Sequence, residues 1–206
     1  MSQINEGLRS LLAVPNIYHL FNRVIGNRAR FAAFVAQHIR AKPGDRVLDI
    51  GCGTGDILDS LPAVEYTGFD MSAEYISAAT RRYGDRATFR CERLDAATAF
   101  PADSFDIVLA MGVLHHLDDG EAVELFRVAA GALKPGGRLV TIDGCYVGGQ
   151  SRVARYLLSR DRGQNVRTEA GYRALAERVF GDVSATVTHE LLRIPYTHLI
   201  LTCTKS

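Results

Sequence analysis

Three glycines at alternating positions, Gly51, Gly53 and Gly55, follow the apolar run Val47-Leu48-Asp49-Ile50, with Asp49 two residues ahead of the first. Lacking a Cβ, the chain can turn tightly there and bring its backbone against a ligand, and the free N–H groups of a following helix start would face that ligand. Nicotinamide and flavin sites space their glycines G-x-G-x-x-G. The last of these would fall at position 56, which is Asp56, so the spacing argues against those dinucleotides. A second acid, Asp70, ends Tyr66-Thr67-Gly68-Phe69-Asp70. It stands roughly 20 residues past the glycines, where an acid accepts hydrogen bonds from the two hydroxyls of a ribose. Asp70 also suits a helix N-cap, with Ser72 beside it. His115 and His116 follow a further apolar run, and an imidazole that is neutral near pH 7 can serve as base. Five arginines, Arg152, Arg155, Arg160, Arg162 and Arg167, stand against one aspartate between 151 and 167. Their forks suit phosphate or carboxylate; a solvated face is the competing reading.

The elements that must position these residues alternate. Residues 8–40 read as two helices broken at Pro15 and Gly26-Asn27, with Ile17, Leu20, Phe21, Val24 and Ile25 at helical spacing in the first and Phe31, Phe34, Val35 and Ile39 in the second. Strands are predicted at 46–50, 66–70, 88–91, 106–110 and 138–143, with helices at 73–83 and 121–133 between them. That alternation implies a parallel sheet covered on both faces. Residues 144–167 read as an insertion whose helix turns Val153, Tyr156 and Leu157 inward. A helix at 169–180 and a hairpin from 183–192 and 199–204 close the chain. The predicted divisions are 1–42, capping helices, and 43–206, one globular unit.

The string Asp49-Ile50-Gly51-Cys52-Gly53-Thr54-Gly55, followed by Asp70, resembles motif I and the ribose acid of class I S-adenosylmethionine (SAM) methyltransferases. Phe105-Asp106-Ile107-Val108 with Val113-Leu114-His115-His116-Leu117, and then Leu133-Lys134-Pro135-Gly136-Gly137-Arg138-Leu139, resemble their type 11 group. The resemblance implies an α/β, Rossmann-like fold: a mostly parallel seven-stranded sheet, a closing antiparallel hairpin and N-terminal capping helices. It implies SAM as cofactor, S-adenosylhomocysteine as product, and no metal. Asp49 would act on the methionine end, or hold the loop through backbone N–H groups. Gly51, Cys52 and Gly53 would line the turn, Asp70 would take the ribose, and Met71 would lie against the adenine. Asp95 would accept from the adenine amino group, with Glu92 as rival, and Ala110 and His115 would contribute from the fourth strand. For catalysis it points to His115 as base and to Tyr18 closing over the methionine end. Shaping the cofactor pocket and packing with Phe21 are their respective alternatives. Arg152, Arg155, Arg162 and Arg167 are the candidates for binding the acceptor.

Composition bounds the partners. At 47% hydrophobic and 23% charged residues, with a net charge of +1, the chain has no global pull towards nucleic acid or membrane. No N-P-P-[YFW] or D-P-P-Y clamp follows the fourth strand, and no Pro-Cys nucleophile is present, which speaks against DNA or RNA acceptors. No apolar run is long enough to span a bilayer. Cys52, Cys91, Cys145 and Cys203 lie far apart, a usage that suits a reducing cytoplasm. The expected function is methyl transfer to a small-molecule or lipid- or sugar-linked acceptor, an anionic one if the arginines read it. The alternative is a SAM-binding protein that has lost catalysis and acts as partner or sensor.

Overall fold

The structure is a computed structural model, and it describes residues 28–93, 102–161 and 163–206. Helix α1 (Arg28–Phe34) runs into a π-helical turn, Val35–Ile39. Arg40 closes that turn in the left-handed region, its N–H bonding the Val35 carbonyl at 2.9 Å. Strand β1 (Arg46–Ile50), a 3₁₀ turn (Asp56–Asp59), β2 (Glu65–Asp70), α2 (Ala73–Tyr83), β3 (Ala87–Cys91) and β4 (Phe105–Met111) come next. A second 3₁₀ turn (Leu114–His116) leads to α3 (Asp119–Ala132), whose start is fixed by a capping box between Asp118 and Glu121. Then come β5 (Leu133–Tyr146), α4 (Arg152–Ser159), the two-residue β6 (Arg167–Thr168), α5 (Glu169–Ala176), β7 (Asp182–Thr188) and β8 (His198–Thr204).

The strands lie in the order β3-β2-β1-β4-β5-β8-β7, and β6 pairs with the end of β5. Strands β1 to β5 are parallel, and β8 runs antiparallel to both its neighbours. The central strands are apolar on both faces, so each face has its own core. Leu48, Val108 and Leu139 pack with Phe126 of α3 and Tyr172 of α5. Val47, Ile107, Leu109 and Val140 pack with Leu58 and with Phe34 and Ile39 from the N-terminal side. The chain leaves β1 towards β2 on one side and reaches β4 on the other. The crevice at their carboxyl ends is the place where open α/β sheets bind ligands.

Four expectations need correction. The glycine turn opens into a single 3₁₀ turn, Asp56–Asp59, with Gly55 left-handed at its start, so no α-helix presents its N-terminus there. Strand β5 begins at Leu133, running through Lys134-Pro135-Gly136-Gly137. The first hairpin strand stops at Thr188. Helix α4 turns Ala154 and Leu158 inward, and leaves Val153 and Tyr156 more than half exposed. The cause is remote in sequence: Leu158 seats on Gly144 of β5, where a Cβ would lie 2.7 Å from its Cδ2 atom.

Candidate active site

Asp49 is buried near the end of β1, paired in register with Gly68 of β2 and Leu109 of β4. The Tyr66 hydroxyl donates to its Oδ2 at 2.5 Å, while its Oδ1 is buried with no hydrogen-bond partner among the described residues. Burial pushes this carboxyl up to about 7, against the Tyr66 hydrogen bond, and the negative charge of Asp70 adds to the rise. Gly51, Gly53 and Gly55 all take positive φ, at 75°, 54° and 73°. Gly51 presses on the loop after β4, since a Cβ there would lie 2.6 Å from Val113 Cγ2. Gly53 faces open space, with nothing within 4 Å of an added Cβ.

Asp70 joins the two loops. Its Oδ2 accepts from the Gly53 N–H at 3.0 Å and its Oδ1 from the Ser72 N–H at 2.8 Å. The N-cap of α2 is Ser72, so Asp70 keeps a carboxylate edge at the end of β2. Cys52 is partly buried, and burial together with Asp49 and Asp70 raises its thiol far above the ordinary range. Met71 is 56% exposed. Ala110 is fully buried, its methyl in the core with Leu48 and Phe126. Asp95 and Tyr18 lie outside the described residues, while Glu92 is exposed and 3.7 Å from Arg90.

A second cluster surrounds His115, at the loop after β4. Its Nδ1 lies 2.8 Å from Asp143 Oδ1, which also accepts its backbone N–H at 3.1 Å, and its Nε2 lies 3.3 Å from Asp161 Oδ1. Burial works against the charged ring, but the two carboxylates prevail and hold its pKa at about 10. A ring protonated at both nitrogens has no lone pair for a substrate proton. Asp143 is pushed up by complete burial, and its Oδ2 has no partner among the described residues. Asp161 is held well below the ordinary carboxylate range by His115, by the Gly163 N–H and by the Tyr196 hydroxyl, which donates to its Oδ2. Gly163 lies directly on the ring, and the Asn165 N–H bonds the His115 carbonyl at 2.9 Å. The insertion is thereby locked over His115.

The candidate acceptor residues do not converge. Arg167 spends its fork internally, donating to Asp119 at 2.7 and 2.9 Å, to the Leu114 and Asn165 carbonyls at 3.0 Å, and to the Leu117 carbonyl at 2.8 Å. Arg155 lies over the Tyr146 ring, Arg160 over Tyr156, and Arg152 is exposed on the same helix. Arg162 lies outside the described residues. Tyr66, Asp161, Gly163 and Tyr196 were missed from sequence. Only Tyr66 carried a signal, a polar group in a buried strand two residues before Gly68. A depression of about 360 Å³ lined by Arg46, Glu65, Tyr66, Asp85 and Arg86 lies at the amino ends of the strands.

A sequence profile described as "Methyltransferase domain" matches residues 47–137. Phosphoethanolamine N-methyltransferase 1 of Arabidopsis thaliana is 34% identical over 114 residues, which are 53% of this chain and 23% of that protein. The ubiquinone/menaquinone biosynthesis C-methyltransferase UbiE of Geotalea daltonii is 32% identical over 143 residues, 61% of this chain and 57% of that one. The chain thus spans less than two thirds of these relatives. Geranyl diphosphate C-methyltransferase of Streptomyces coelicolor A3(2), solved with Mg²⁺, geranyl-S-thiolodiphosphate and S-adenosyl-L-homocysteine, superposes with a TM-score of 0.68 at 18% identity, covering 86% of this chain and 76% of that one. At that identity the likeness is one of fold.

Proposed function

We propose, for a chain that belongs to the class I SAM-dependent methyltransferases, that it binds SAM at the glycine turn and catalyses methyl transfer to a small-molecule acceptor. The observation that carries this reading is the pairing of an unpartnered buried Asp49 oxygen with the open space at Gly53. A buried carboxylate without a cation is costly, and the ammonium of SAM would supply one. Asp70, anchored by Gly53 and Ser72, keeps lone pairs for the two ribose hydroxyls. Met71 would lie on the adenine, and Asp95 would meet its amino group.

When bound, SAM supplies a methyl group activated on a sulfonium. The chain's own work is then to align an acceptor and exclude water. His115 is engaged at both ring nitrogens, so its role in this reading is to hold the insertion and not to take a proton. Among the described residues Arg167 is spent and Arg155 and Arg160 lie over tyrosine rings at the surface, which favours a neutral and largely apolar acceptor. The N-terminal segment 1–42, with Tyr18 and Phe21, would cap it. The relatives' names span a quinone pathway and phosphoethanolamine, which sets the panel for the test. Calorimetry with S-adenosylhomocysteine and NAD, followed by transfer of a labelled methyl group to quinol and phosphoethanolamine acceptors, decides it. NAD binding without S-adenosylhomocysteine binding would overturn the cofactor. Binding without transfer to any acceptor would favour the partner or sensor role.

A further inference from the structure

Tyr66 has an unusual place for a polar group. It is 2% exposed, in a buried stretch of β2, and its ring leans along the sheet to reach an acid on the neighbouring strand. The register makes this reach possible. Tyr66 pairs with Val47, and Gly68, opposite Asp49, has no side chain to block the way. A Cβ on Gly68 would lie 3.0 Å from Tyr66 Cε1 and 2.8 Å from Cys52 Sγ. The strand therefore leaves a slot through which the phenol reaches Asp49 Oδ2, while Oδ1 stays buried and unpartnered among the described residues.

We propose that Tyr66 is a positioning residue that turns Asp49 towards the cofactor's ammonium and favours its charged form, linking cofactor binding to one proton on Asp49. The inference rests on the SAM reading above. Among the described residues, the ionisable groups acting on Asp49 are Tyr66 in β2, Asp70 at the end of β2 and Cys52 in the glycine turn, with Tyr83 of α2 acting on Tyr66. No cation is among them, so among the described residues the phenol is the one group that favours the carboxylate. Burial and Asp70 both favour the neutral acid. The ammonium binds the carboxylate and not the acid. Affinity must then fall as pH drops through the Asp49 titration, up to tenfold for each pH unit below it.

The test is calorimetry with S-adenosylhomocysteine and with 5′-methylthioadenosine, which lacks the amino-acid end, between pH 5.5 and 8.5. Wild type should lose S-adenosylhomocysteine affinity below about pH 7 and keep a flat profile for 5′-methylthioadenosine. Tyr66→Phe removes a single oxygen and should move the bend upward by about one to two pH units, leaving 5′-methylthioadenosine binding unchanged. A bend at the same pH in both proteins, or no bend in either, overturns the proposal and leaves the cofactor reading standing. Failure of wild type to bind either nucleoside overturns the cofactor reading itself, and the proposal with it. A measurement on ligand-free wild type guards against a variant that does not fold: the carboxyl carbon of Asp49, followed by NMR, should titrate near neutrality. A midpoint in the ordinary carboxylate range, near pH 4, overturns the proposal.

Discussion

Asp49 and Asp143 are both buried, both lie at carboxyl ends of parallel strands, and both keep one oxygen without a partner among the described residues. Their surroundings differ in charge. Asp143 faces an imidazole held in its cationic form, shared with Asp161, so its charge has a cation beside it within the chain. Asp49 faces a phenol, which can donate a hydrogen bond but cannot neutralise a charge. A closed ion network marks a place the fold uses for itself, whereas a buried acid short of a cation marks a place kept for a ligand. This difference supports the proposal that the glycine-turn side binds the cofactor and that the His115 side is a structural lock.

The largest effect should come from side chains added at the glycine turn, and two glycines split it into two kinds. Gly53→Val should abolish S-adenosylhomocysteine binding in calorimetry, because the new side chain would occupy the open space in front of the turn. Its positive φ adds a folding cost of about 1–2 kcal/mol, small enough for the protein to stay folded by circular dichroism. Gly51→Ala should instead lower stability, since its Cβ would meet Val113 Cγ2. Overpacking of that kind costs about 1–3 kcal/mol. Normal cofactor affinity in a folded Gly53→Val protein would break the comparison at its base.

Substitutions in the two clusters, at His115 and at Asp49, should have opposite effects that depend on pH. His115 has a folded pKa of about 10, above its unfolded value near 6.5. Its contribution is therefore complete below about pH 6.5 and fades as pH rises through 10. His115→Gln leaves the buried Asp143 and the half-buried Asp161 without their cation, a loss of about 3–5 kcal/mol that should be greatest near pH 6 and shrink towards pH 10. Asp49 also has a raised folded pKa, about 7. A carboxyl of this kind weakens the ligand-free protein as pH rises from about 4 to 7, and the penalty is constant above. Asp49→Asn should therefore stabilise the ligand-free protein at pH 8, by on the order of a few kcal/mol, and by little at pH 4. Urea titrations at pH 4, 6, 8 and 10 read both. Destabilisation by Asp49→Asn at pH 8 would mean that Asp49 has a cation after all.

Asp70 gives a smaller effect. Asp70→Ala should weaken S-adenosylhomocysteine binding by about 1.5–3 kcal/mol, the scale of a lost charge-assisted hydrogen bond. It also frees the Gly53 and Ser72 N–H groups, so a modest fall in stability should accompany it. Unchanged affinity would remove Asp70 from the ribose site.

The candidate cofactor half is legible in the sequence because its chemistry is contiguous. Asp49 and the three glycines lie within seven residues, and a strand must precede them and a second acid follow. The lock was not legible, because His115, Asp143, Asp161 and Tyr196 are separated by long stretches of chain and meet only through the sheet register and the fold of the insertion. The inward face of α4 failed for the same reason. Periodicity gives a helix an apolar stripe, but Gly144 decided which stripe could approach, and it favoured Ala154 and Leu158 over Val153 and Tyr156. Tyr66 lay between the two cases: its polarity in a buried strand was visible, while its partner required the register.

The smallest expected effect is the one that separates surface arginines from anchored ones. Arg155 is exposed and lies over the Tyr146 ring, an arrangement worth about 0.5–1 kcal/mol at such a site. Arg155→Ala should change stability by about 0.5 kcal/mol or less and leave both cofactor affinity and the KM for the acceptor unchanged. Arg167→Ala is the contrast. Its guanidinium ties the loop after β4 to the start of α3 through the Leu114 and Leu117 carbonyls and Asp119. Its loss would free the insertion over His115, so stability should fall with cofactor affinity preserved. The result that would reverse this part of the comparison is a rise in acceptor KM of about tenfold or more in Arg155→Ala, with stability and cofactor affinity intact. A rise of that size corresponds to about 1.4 kcal/mol of lost binding, more than the ring contact can explain. It would make the outer face of α4 an anion-reading surface and the acceptor a charged one.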